Sequence, residues 1–102
     1  MQRIGRWTRL QPGAEEEYER THKKLWPEFE ALIQQSGIKN YTIFRNGLDM
    51  FSYSESEDFE AASAFLADKP IAQKWQEEWA RLMDAPDPIQ PWQPMKEVFH
   101  LD

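Results

Sequence analysis

Histidine is the side chain whose ordinary pKa lets it both give and take a proton near neutral pH, and this chain has two, His22 and His100. His22 follows Tyr18 by four residues in the segment YERTHKKLWPEFE, so on a helix the two side chains would neighbour each other on one face. General acid or base catalysis by His22, with a phenol alongside, is the chemistry this spacing offers. The competing reading is a histidine at the exposed face or core edge of RTHKK. Tyr41, in a strand-like run, is ordinarily a β-former with a buried ring, but its hydroxyl needs a partner and could hold a ligand hydroxyl. Trp75 and Trp79 stand at helical spacing and more often belong to a core; an indole also offers a flat face to sugar C–H groups and one N–H donor. His100 sits in EVFHL, where alternation groups it with Val98 rather than with Phe99 and Leu101.

Other chemistries lack local support. The chain has no Cys, which excludes disulfides, thiolate catalysis and Cys-ligated metal or iron–sulfur sites. No spacing of His and acidic residues specifies a metal site, and no Gly-rich phosphate loop or nucleophile elbow occurs. A formal charge of -6 argues against a surface that tracks phosphates, so no nucleic acid is expected as a partner. The first ten residues lack a signal-peptide core and no run is long and apolar enough to span a bilayer. A soluble cytosolic chain is expected. With 102 residues it makes one domain, 1–102.

The elements that must hold these side chains follow from pattern. Residues 4–10 read as a strand ended by Pro12 and Gly13. The segment 14–24 opens with three glutamates and closes with two lysines, as the helix dipole favours. Its apolar stripe, counted with His22, runs 18, 22, 25, 26, 29, 32 and 33, which turns Tyr18 and His22 inward. Pro27 interrupts that stripe, since it has no N–H to bond Lys23 and its ring crowds that carbonyl. Two helical pieces are expected, the second starting at Pro27 and ending near Ser36 and Gly37. Runs 38–45 and 48–56, joined by Asn46-Gly47, form a hairpin. A helix over 58–68, started at Ser56, and another over 70–84, opened by Pro70, come next. The proline-rich stretch 85–94 reads as an ordinary loop rather than a polyproline ligand, and 95–101 as a last strand.

The order β-α-β-β-α-β is that of a ferredoxin-like α+β fold, an antiparallel sheet with helices on one face. Large side chains fall on both alternating sets of the strands, Tyr41 and Ile43 against Thr42 and Phe44. A second sheet in a homodimer would cover the face without helices.

The segments EEEYERTHKKLWPEFEALIQQSGIKNYTIF, AQKWQEEWARLM and the terminal EVFHLD together resemble the L-rhamnose mutarotase family, over nearly the whole chain. The resemblance implies a dimeric ferredoxin-like α/β barrel that interconverts the anomers of a 6-deoxyhexose without a cofactor. By position it makes His22 the proton donor and Tyr18, Tyr41 and Trp75 sugar contacts. Where the family shows two adjacent tryptophans, this chain has Trp75 and Gln76, which leaves L-rhamnose, L-fucose or a related sugar open. The base is likewise open among Tyr18, Tyr41 and a bound water. Cofactor-independent oxygenases, haem-degrading proteins and a non-catalytic sugar-binding module are the alternatives on the same architecture. A neutral sugar accords with a pocket expected to lack basic groups.

Overall fold

The computed structural model describes residues 1–22 and 25–102, with His22 given by its backbone alone. Eight elements follow one another: β1 (Gln2–Arg9), α1 (Glu15–His22), α2 (Pro27–Gln35), β2 (Lys39–Asn46), β3 (Asp49–Ser56), α3 (Phe59–Ala67), α4 (Pro70–Ala80) and β4 (Gln93–Met95). The strands form one antiparallel sheet in the order β2-β3-β1-β4. That is the expected ferredoxin-like α+β arrangement, with each helical crossover delivered in two pieces.

Local chemistry sets the element ends. Trp26 is extended (φ -60, ψ 126) and Pro27 opens α2, so the proline starts a helix where its missing N–H has no bond to lose. The lysines expected to close α1, Lys23 and Lys24, lie outside the described residues. Gly37 ends the α2 segment at φ 91, a conformation that a side chain disfavours. Asp58, not Ser56, caps α3: its carboxylate accepts from Ala61 N–H at 3.1 Å, and the Ser56 hydroxyl accepts from Asp58 N–H at 3.2 Å. Pro70 opens α4 as expected, but the helix ends at Ala80 and Met83 then bridges to Leu10.

Residues opposite each other in an antiparallel pair share a sheet face. Thr8, Met50, Ser52 and Ser54 are buried on the helix side, where Leu10 and Met50 meet Tyr18, Trp75 and Trp79. On the other face Phe44 pairs with Phe51 and Phe51 with Trp7, an aromatic row across three strands. Phe44 is 62% exposed and Phe51 38%, so this face is open in a single chain.

The last strand differs from expectation. It covers Gln93–Met95 rather than 95–101, and residues 96–102 have no regular structure. Met95 pairs with Gly5, the last rung on this edge, and Gln2, Arg3 and Ile4 of β1 continue beyond it without a β4 partner. Arg3 holds Glu97 at 2.7 Å alongside β1, beyond which Val98, Phe99 and Leu101 are exposed. The strand also starts inside the proline-rich stretch expected to be loop, and Pro94 is tolerated because β4 is an edge strand.

Candidate active site

Between the helices and the sheet lies an open cavity of about 1010 Å³. Its existence follows from the composition of the sheet centre. The helix-side positions of β3 after Met50 are Ser52, Ser54 and Ser56, small side chains that leave room above them. Tyr18, Tyr41, Trp75 and Gln76 all line this cavity, although they come from α1, β2 and α4. The side chain of His22, expected beside Tyr18, lies outside the described residues. His100 is elsewhere, in the exposed C-terminal segment, with its Nε2 2.7 Å from Asp102.

Tyr18 is turned inward by α1 together with Ala14 one turn earlier, both buried. Its ring meets Trp79 edge-on at 5.0 Å. Burial, reinforced by the nearby Tyr41, holds its phenol well above the usual range, because the phenolate would lose its water there. Trp75 belongs to both the core and the pocket wall: its ring contacts Trp26 at 4.8 Å, Phe29 at 5.4 Å and Trp79 at 5.2 Å. Fixed on three sides, the indole is held in place for any ligand. Trp26 and Phe29 flank the break at Pro27, so the second helical piece is what supports it.

Tyr41 depends on an irregularity of β2. Lys39 pairs with Glu55 and Thr42 with Tyr53, so Asn40 and Tyr41 together stand opposite Ser54 alone. This bulge lets Ile38, Tyr41 and Ile43 all line the cavity, which strict alternation forbids for positions 38 and 41. Asn40 carries it with φ 53 and donates from its amide to Glu55. Tyr41 is 37% exposed, yet burial still raises its pKa, opposed by the charge and hydrogen bond of Arg6. We read the open surface as ring and the enclosed part as hydroxyl, since the hydroxyl is what meets Arg6, at 3.5 Å.

Arg6, which also lines the cavity, escapes a reading of the sequence alone and corrects the expectation of a pocket without basic groups. Its position in IGRWTRL looks like one of several strand cations; only the alternation with Trp7 could have placed it on the helix side. A second surface depression, beside Met1, Ile4 and Ser63, contains none of the expected site residues, and its Arg3 and Glu97 bind each other. Among the described residues no three His, Asp or Glu side chains converge as a metal-binding set.

A family profile described as L-rhamnose mutarotase matches residues 3–101. The chain belongs to the L-rhamnose mutarotase family. It is 36% identical over 96 residues to the L-rhamnose mutarotase of Bacteroides thetaiotaomicron, covering 91% of each chain. With that of Lactiplantibacillus plantarum the identity is 38% over 105 residues and the coverage of both is complete. The crystal structure of an L-rhamnose mutarotase from Formosa agariphila superposes with a TM-score of 0.85 at 26% identity, over the whole of both chains. The mutarotase family thus shares this α+β fold, and no helix among the described residues is long and apolar enough to cross a membrane.

Proposed function

We propose that this protein is an isomerase that interconverts the α and β anomers of L-rhamnose. The observation that carries the reading is the family match across residues 3–101. The gathering of Tyr18, Tyr41, Trp75 and Gln76 around one cavity supports it.

His22 delivers a proton to the ring oxygen while a base takes the proton of the anomeric hydroxyl. The bond from C1 to the ring oxygen breaks, leaving an open-chain aldehyde. Rotation about C1–C2 presents the other carbonyl face, and the reverse proton movements close the ring. A phenol is already protonated at neutral pH and burial raises both pKa values further, which favours a bound water as the base and gives Tyr18 and Tyr41 the task of holding sugar hydroxyls. Trp75 supplies the apolar face, and Gln76 stands at the rim in place of a second indole. The family match favours this chemistry over an oxygenase or haem-degrading activity on the same architecture.

Two copies associate through the open sheet face, where Trp7, Phe51 and Phe44 form an apolar row across three strands. The homodimer works in the cytosol, a placement in keeping with a cysteine-free composition.

Exchange between anomers, followed by NMR with L-rhamnose, L-fucose and D-glucose in turn, tests the activity. The wild type accelerates exchange of L-rhamnose most, and His22→Ala loses about 10² to 10⁴ of that rate while remaining folded. No acceleration of any of the three sugars would sink the proposal.

A further inference from the structure

Arg6 lines the pocket and takes no part in the proton transfers of anomer exchange. It sits at the middle of β1, opposite Ser52 on β3 and Pro94 on β4. Its guanidinium lies 5.2 Å from the centroid of Phe59 and 5.5 Å from that of Trp92, so two aromatic faces hold it. No carboxylate among the described residues pairs with it, although Glu30 also lines the cavity. Nη2 donates to the Tyr41 hydroxyl over a long 3.5 Å. Nε is buried and has no hydrogen-bond partner among the described residues. A buried N–H of a cation with nothing to bond is unfavourable unless an incoming group completes it.

Nε and Nη2 lie along one edge of the planar guanidinium, the edge that binds two neighbouring oxygens in parallel. We infer that Arg6 is a substrate-binding residue whose Nε–Nη2 edge donates to a pair of adjacent sugar oxygens, beside the Tyr41 hydroxyl. Two kinds of sugar present such a pair: a neutral deoxyhexose through vicinal hydroxyls, and a hexuronic acid through its carboxylate. The inference rests on the reading of the cavity as a sugar site.

Titration of tryptophan fluorescence with L-rhamnose and with D-galacturonate, alongside anomer exchange by NMR, tests it on wild type, Arg6→Gln and Arg6→Lys. Trp75, Trp79 and Trp92 line the cavity and report binding without turnover. Arg6→Gln weakens binding of the preferred sugar by about tenfold or more, the scale of a lost charge-assisted hydrogen bond. Arg6→Lys keeps the charge and recovers only part of it, because an ammonium lacks the paired edge. Tighter binding of D-galacturonate than of L-rhamnose by the wild type assigns the carboxylate; the reverse order assigns vicinal hydroxyls. In the latter case monodeoxy analogues of L-rhamnose identify the pair: removing a contacted hydroxyl weakens binding to the wild type but not to Arg6→Gln.

Affinities within twofold of wild type in both variants overturn the inference. So does a loss in which every monodeoxy analogue is affected equally in wild type and variant, which would mark Arg6 as packing alone. A wild type that binds neither sugar overturns it as well. If the wild type binds a sugar in an Arg6-dependent way but does not accelerate exchange, the mutarotase reading falls and Arg6 stands. Accelerated exchange with a KM that Arg6→Gln leaves unchanged does the opposite: the mutarotase reading stands and Arg6 falls.

Discussion

At the scale of single residues, the two pocket phenols carry a consequence for pH. Tyr18 is 5% exposed and its pKa is raised above the ordinary 10.0 chiefly by burial. The unfolded chain therefore loses this proton first, near pH 10, while the folded chain retains it. Stability from Tyr18 is complete below pH 10 and falls as pH rises from there towards the folded value, by about 1.4 kcal/mol per pH unit. Chemical denaturation between pH 9 and 11 should show a steeper decline for the wild type than for Tyr18→Phe; equal slopes would contradict the burial. Residue identity was legible in the sequence wherever a motif held it. The helical spacing brought Tyr18 inward, and the family resemblance singled out Tyr41, Trp75 and Gln76. Arg6 was not legible, because its character comes from Phe59 and Trp92, more than fifty residues away in the chain.

At the scale of elements, punctuation was legible and register was not. Pro27 and Pro70 each start a helix as their fixed φ and missing N–H require. The bulge in β2 left no comparable mark: alternation alone puts Ile38 with Thr42 and Phe44, whereas the fold puts it with Tyr41. Asn40 adopts a left-handed backbone to achieve this, a conformation that Asn and Gly reach more readily than β-branched residues. Asn40→Val should lose about 1–2 kcal/mol of stability and displace Tyr41, lowering the exchange rate. Asn40→Gly, which keeps the conformation and gives up the amide bond to Glu55, should lose less. Urea denaturation together with the NMR exchange assay separates the two, and equal losses would refute the conformational explanation. The shortened β4 shows the same limit in another place. The apolar residues Val98, Phe99 and Leu101 beyond it suggest a strand, yet pairing stops at Met95 and they stay exposed.

At the scale of the whole molecule, the sheet serves two surfaces that alternate residue by residue. One holds the cavity; the other carries the row Trp7, Phe51 and Phe44. The proposed homodimer predicts that the wild type sediments as a dimer at micromolar concentration, while Phe44→Lys sediments as a monomer with the same helix content by circular dichroism. A wild type that sediments as a monomer would remove the association. This face was anticipated from the large side chains on both strand sets. The fold class was legible because eight elements in a fixed order leave few ways to cover one sheet.

The bulge at Asn40 also marks the place where β2 can lose one residue and keep its register. With the hairpin register held at Asn46 and Asp49, deleting Asn40 leaves Tyr41 and Ile43 facing the cavity. Upstream, Lys39 stays opposite Glu55 and Ile38 stays on the helix side, because taking out the extra residue restores strict alternation along the whole strand. A codon lost at this point therefore costs the left-handed turn and the amide bond to Glu55 but changes the face of no other side chain.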